Sequence, residues 1–396
     1  SDAEISVLIF AAILIPIMFV NDSLNAINRG SHPQVVSYGF LAFEITKIPL
    51  GLLLVYFWKM GLEGAIIATF GAYIPSIMIL GIKARPLIKN KFQIQFVKKW
   101  IKLFWVPTFR SVPSLLSLSD VIVFSVITGS VSGVAYYTAA RTIGFLVNHT
   151  RSMSEGLYPK LLEGGHENFL QDNLLKLFYF AFPLVGLSIV FAKPGLFVLN
   201  PIYQIAEIVV IILAIRSFLT TLGKVLFQAL QGIDKVDMNK NATFKDYVKS
   251  KLILYPTFQL IRNAIYFGSL AIILFMFNDT ESEIQLVIYW AFVGLVIEIP
   301  LIIYIYCLVR KNISLKIDWK TLLKYLFSTI LIFSIFYYLI NHYLEYKISI
   351  FEFLPELMLW AIAIIGSYLG LTYLIDKNTQ KLFNGIMKEF LKRNNN

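Results

Sequence analysis

Charge is what this sequence has least of. Asp, Glu, Lys and Arg together make up 15% of its 396 residues, where a soluble chain carries about a quarter. Cysteine is nearly missing as well. Cys307 is the single one and lies within an apolar run, which excludes an internal disulfide framework and a cysteine-based metal cluster. The four histidines, His32, His149, His166 and His342, are scattered without metal-ligand spacing. The chain has no glycine-rich phosphate loop and no nucleophile elbow. The residues therefore point to no enzyme, no cofactor and no bound metal.

What the sequence does have is hydrocarbon. Its residues are 57% hydrophobic and its mean hydropathy is +0.70. The apolar residues gather into runs of the roughly 20 residues that cross a bilayer as a helix. Eleven spans are expected, at 4–21, 35–58, 62–82, 101–128, 130–156, 174–199, 203–230, 251–277, 284–309, 321–341 and 355–376. All are read as helices, because lipid satisfies no backbone group and the alternating pattern of a barrel is missing. Pro107 and Pro113 fall inside the fourth and predict a kink or break there.

The net charge of +11 does not imply nucleic acid, since the basic residues sit in short loops between the spans. One set of alternate loops, with the C-terminus, holds 26 Lys and Arg, against Lys59, Lys193 and Lys347 in the other. By the positive-inside rule the C-terminus is cytoplasmic, and eleven spans then place Ser1 outside. The loop 278–283 is acidic and has no Lys or Arg, as suits an external position, and carries the sequon Asn278-Asp279-Thr280. The stretch 83–102 holds seven cations and no acid, and it and 377–393 are expected to rest on anionic lipid headgroups.

A weak internal repeat is present. Asn25-Ala26-Ile27-Asn28-Arg29-Gly30 closes the first span as Gln228-Ala229-Leu230-Gln231-Gly232 closes the seventh. Each is followed by a span with mid-helix charge (Glu44 and Lys47; Arg262), then by one with a matching proline (Pro75; Pro300). Such repeats commonly build transporters, with the path between the halves. The second copy is preceded by the three spans of 101–199 and the first by none, so about three helices are expected upstream of residue 1.

Residues 97–162 resemble the opening of the second half of the oligosaccharide-lipid flippases, the polysaccharide-biosynthesis branch of the multidrug/oligosaccharidyl-lipid/polysaccharide exporters. The residues that carry the resemblance are Pro107, Pro113, Ser119-Asp120, Gly133-Val134-Ala135-Tyr136-Tyr137-Thr138-Ala139-Ala140-Arg141 and Leu157-Tyr158-Pro159-Lys160. Gly61-Leu62-Glu63-Gly64-Ala65 and the segment from Gln228 to Gly232 add to it. The resemblance implies an all-α membrane protein of two pseudo-symmetric bundles, a MATE-like flippase fold, with the first three helices missing and two C-terminal helices added. The chain then divides into 1–82, the rest of the N-terminal bundle; 83–100, a basic cytoplasmic linker; 101–309, the C-terminal six-helix bundle; 310–376, two extra spans; and 377–396, a basic tail. The implied partners are a polyprenyl diphosphate glycan, membrane lipids and the enzymes that assemble the glycan. The implied activity carries that lipid-linked oligosaccharide from the cytoplasmic to the outer leaflet of the cell membrane.

Such a carrier shelters a glycan and its diphosphate in a wet cavity, which calls for polar stripes and inward cations. Tyr137, Arg141, Asn148, Ser152 and Glu155 fall on one face of the fifth span, with Gly144 leaving room. Arg141 either meets a headgroup or pairs with Asp120. Arg110 lies beside the proline break and either faces the cavity or snorkels to the interface. The seventh span carries Ser217, Thr221, Lys224 and Gln228 on a second stripe, with Arg216 adjacent. Glu44 and Lys47 are expected to neutralise each other. Glu298, beside Pro300, and Glu155 are candidates to bind a coupling ion. A sodium- or proton-coupled drug exporter of the same superfamily is the rival reading, and would want acids where this chain offers Arg and Lys. A polysaccharide polymerase or glycosyltransferase would want longer loops than the chain has.

Overall fold

A chain this apolar must pair its backbone N–H and C=O groups within its own segments, and the computed structural model does so with helices. It describes residues 5–89, 94–154, 157–162, 167–234, 236, 239, 243–381 and 383–385, among which no strand occurs. Nine helical stretches among the described residues are long and apolar enough to cross a membrane: Gln34–Phe57, Gly61–Ile88, Trp105–Thr128, Phe169–Val190, Pro201–Gly232, Lys251–Phe277, Glu283–Asn312, Trp319–Tyr343 and Ile350–Ile375. Their outward faces carry exposed Ile, Leu, Phe and Trp side chains, which hydrocarbon solvates where water would not. The protein is a multi-pass, all-helical membrane protein. It divides into two compact units, Ser1–Ile101 and Lys102–Asn396.

In the first unit, α1 (Ile5–Ser31) and α2 (Pro33–Gly51) both pack on α3 (Gly61–Ile88); α4 (Ile94–Leu103) follows them in the chain. Helix α1 covers the first expected span. At 27 residues it reaches ~40 Å, and its C-terminal half is polar, with Asn21, Asp22, Asn25, Asn28 and Arg29. Buried Asn28 ties it to α3 by donating to the Leu80 carbonyl at 3.0 Å, and the Ser76 hydroxyl donates to Asn21 Oδ1 at 2.9 Å. A π-helical turn, Leu52–Phe57, ends α2. Lys59 and Gly61 then both take positive φ to reverse the chain, which Gly61 accepts without strain. The expected Glu44–Lys47 pair does not form. Lys47 lies over the Phe43 ring instead, 5.3 Å from its centroid.

The second unit is built around α11 (Glu207–Gly232). Preceding it are α5 (Trp105–Leu116), α6 (Asp120–Thr128), α7 (Val131–Gly144), α8 (Leu157–Leu162), α9 (Glu167–Val190) and α10 (Ala192–Leu199). Following it are α12 (Phe244–Lys249), α13 (Lys251–Phe277), α14 (Glu283–Asn312), α15 (Trp319–Tyr343) and α16 (Ile350–Ile375). Helix α11 packs on α7, α8, α9, α13 and α14 and is buried on most sides. The repeat is visible in the pairing: α14 packs on α11 and α13 as α3 packs on α1 and α2.

The fourth expected span is broken, as its prolines predict, and the fifth and sixth are broken where continuous helices were expected. The fourth divides at a 3-10 turn, Ser117–Ser119, just after Pro113. The sixth starts earlier, at Glu167, and breaks at Phe191 between α9 and α10. The fifth is α-helical only to Gly144 and continues as a 3-10 helix, Phe145–Ser154. The break has local causes. A Cβ at Gly144 would stand 2.9 Å from Leu213 Cβ and 3.1 Å from the Val210 carbonyl oxygen, so α7 is pressed onto α11 at this point. The Ser188 hydroxyl takes the carbonyl of Ile143 at 3.1 Å.

Helix α15 and helix α16 pair with each other and dock on α9. Pro183 lies inside α9 and has no N–H, so the carbonyl four residues earlier, Tyr179, loses its helical donor. The Tyr368 hydroxyl of α16 donates to that carbonyl at 2.9 Å. Gly186 lets the Phe333 ring of α15 lie against the α9 backbone.

Candidate functional site

Two adjoining cavities open in the second unit. The first, about 140 Å³, is bounded by α5–α6, α7 and its 3-10 extension, α11 and α13. Seven of the residues expected from sequence line it: Asp120, Tyr137, Arg141, Asn148, Arg216, Ser217 and Lys224. The second, about 180 Å³, shares Ser114, Lys224 and Gln259 with it and adds Arg110 and Arg151. The three shared residues make the two cavities neighbours in one cleft.

Its floor is an aromatic stack. Tyr137 lies flat on Trp290, 3.6 Å between centroids and 5° apart, and Phe124 covers the other face at 4.6 Å. Asp120 is buried beside the stack. It accepts from the Tyr266 hydroxyl at 3.1 Å and from the Trp290 indole N–H at 3.3 Å. The expected alternative, an Arg141–Asp120 ion pair, is therefore not formed: neutral donors hold the carboxylate, and Arg141 stacks over the Phe145 ring at 4.8 Å.

Arg216 projects from α11 over the Tyr266 ring at 5.1 Å and donates to the Tyr137 hydroxyl at 3.3 Å. Gly294 of α14 makes room for it. A Cβ there would stand 2.5 Å from the guanidinium carbon, far inside contact distance. Asn148 accepts from Ser217 at 3.0 Å and Thr221 at 3.1 Å. The two polar stripes expected on the fifth and seventh spans thus face and bond each other. Asn148 reaches them from the 3-10 segment, however, so Tyr137 and Asn148 do not share the single α-helical face that was expected. Gly144 likewise serves helix packing, not cavity room. Glu155 and the side chain of Ser152 lie outside the described residues.

Glu298 is buried in α14 and pairs with Arg262 of α13. Arg262 also donates to the Asn263 side chain, whose amide N–H₂ reaches the Pro113 carbonyl at 2.8 Å. Sequence reasoning missed four participants: Trp290, Tyr266, Gly294 and Gln259. A signal for two of them existed. Gln259, Arg262, Asn263 and Tyr266 recur at helical spacing and make a third polar stripe, on α13.

The fold resembles that of the lipid II flippase MurJ. A solved structure of that protein, in an inward closed conformation, superposes with a TM-score of 0.52 at 18% identity, over 93% of this chain and 73% of that one. No family model and no curated protein matches the chain. The MurJ likeness is one of architecture, and the chemistry of the cleft has to be read from its own residues. Arg141, Arg216 and Lys224 border a space walled by hydroxyls and an amide. Such a set has the chemistry to bind an anion through charge-assisted hydrogen bonds.

Proposed function

We propose that the protein translocates a lipid-linked oligosaccharide from the cytoplasmic to the outer leaflet of the cell membrane by alternating access. The observation that carries this reading is the charge of the cleft. Arg141, Arg216 and Lys224 have no salt bridge among the described residues, while Asp120 is taken up by Tyr266 and Trp290 and Glu298 by Arg262. Unanswered cations in a membrane cavity suit a diphosphate headgroup. A cationic drug would need free acids there, and both nearby acids are engaged. In this reading Arg141, Arg216 and Lys224, assisted by Tyr137 and Asn148, hold the diphosphate. Arg110 guides it at the mouth, and Asp120 fixes the aromatic floor. The basic loops and tail face the cytoplasm, and the acidic loop 278–283 faces outward. The resemblance to MurJ, named as a lipid II flippase, agrees with the reading.

The test is complementation. The gene is expressed in a strain lacking its own flippase, beside Arg141→Ala and Arg141→Lys, and surface glycan is measured with membrane expression. Rescue by the parent form and its loss in the Ala variant at equal expression is the expected result. Well-expressed protein that rescues no glycan system overturns the reading and turns the test to efflux assays.

A further inference from the structure

Cations in the cleft outnumber the carboxylates that answer them. Arg110, Arg141, Arg151, Arg216, Lys224 and Arg262 line its two cavities, and Asp120 is the one carboxylate among the lining residues. A diphosphate among Arg141, Arg216 and Lys224 leaves Arg110 and Arg151 over, at the second cavity. Neither has a salt bridge among the described residues.

The same cavity holds an independent mark of a ligand. Gln228 and Gln231 line it, and Gln228 Oε1 and Gln231 Nε2 are buried with no hydrogen-bond partner, which folded proteins rarely leave uncorrected. One of these atoms is an acceptor and the other a donor. A fully deprotonated anion such as sulfate can answer Gln231 Nε2 but has no proton for Gln228 Oε1. A sugar hydroxyl answers both. Carboxamides supply hydroxyl recognition, two arginines supply carboxylate recognition, and about 180 Å³ has room for a pyranose ring.

We propose that this second cavity holds a carboxylated sugar, of the uronic acid class, in the glycan of the cargo, so that the protein selects acidic over neutral lipid-linked glycans. This rests on the flippase reading above and specifies its substrate. The diphosphate sits in the first cavity and the sugar carboxylate bridges Arg110 and Arg151, with Gln228 and Gln231 reading the ring hydroxyls.

Binding to the full chain in lipid nanodiscs tests it, with three probes: undecaprenyl diphosphate, the same carrier bearing glucose, and the same carrier bearing glucuronate. The glucuronate form is expected to bind about 5- to 10-fold more tightly than the glucose form, the range of one or two partly exposed charge-assisted contacts. Arg110→Gln and Arg151→Gln each lower that ratio, and together bring it under about 2-fold. Arg141→Gln weakens all three probes alike. Equal binding of the glucose and glucuronate forms by the parent protein overturns the inference and leaves the flippase reading standing. So does a ratio unchanged in a folded double variant. Failure of all three probes to bind overturns the flippase reading, and this inference falls with it.

Discussion

Replacing Glu298 by Gln should make the protein less stable and, at the same time, a better binder of anions. Glu298 and Arg262 form an ion pair whose side chains are 2% and 12% exposed. Removing one partner of a buried pair costs about 3–5 kcal/mol. Gln keeps the shape and one acceptor oxygen, so a loss of about 2 kcal/mol is the working figure. The guanidinium left behind lines the first cavity. At an effective dielectric of about 20, a unit charge roughly 7 Å from a bound phosphate is worth about 2 kcal/mol. Solvent in the cleft halves this, leaving a gain of about 1 kcal/mol, or roughly fivefold in affinity. Intrinsic-fluorescence thermal unfolding in nanodiscs reads the first effect, and undecaprenyl diphosphate titration in the same discs reads the second. A variant as stable as the parent, or one that binds the diphosphate more weakly, would show that Glu298 does not serve to hold Arg262 back.

Gly294→Ala places a methyl against the Arg216 guanidinium and should push it off Tyr266 and Tyr137. Loss of about 1–3 kcal/mol of stability is expected from the overpacking, with diphosphate affinity reduced about 5- to 10-fold; parent-like titrations would mean that Arg216 is not a ligand. Tyr368→Phe removes the donor to the Tyr179 carbonyl, which Pro183 leaves without its helical partner. The expected cost is about 1–2 kcal/mol of stability with unchanged diphosphate affinity, and a Pro183→Ala change in the same chain should restore most of it.

Much of the architecture could be read from the residues because a bilayer punishes an unpaired backbone. The hydrophobic runs and the split of basic loops therefore follow from simple transfer energies. Two kinds of feature resisted. Helix breaks without a proline depended on tertiary contacts, as at Gly144, where close approach to α11 ended an otherwise unremarkable helical pattern. Partnerships between distant helices were invisible too. Asp120 was read against Arg141, a cation 21 residues away, whereas Tyr266 and Trp290 hold it across 146 and 170 residues. Aromatic residues within apolar runs look like lipid anchors, and sequence alone gives no reason to single out Trp290. Gly294 carries a contrasting lesson: its importance lies in a side chain that another helix places above it. The polar stripe on α13 was the one overlooked clue that spacing alone could have supplied.

The 3-10 stretch after Gly144 changes how far the chain travels for its residues. An α-helix rises about 1.5 Å per residue and a 3-10 helix about 2.0 Å. Val131–Gly144 and Phe145–Ser154 hold 14 and 10 residues, so together they extend about 41 Å, against about 36 Å for an α-helix of equal length. The segment gains the reach of three extra residues without encoding them. Each of its residues also turns about 120° rather than 100° about the axis, so Arg151 arrives at a height and heading that an α-helical count from Arg141 would misplace. Hydropathy windows calibrated on α-helical rise will undercount the depth such a span covers.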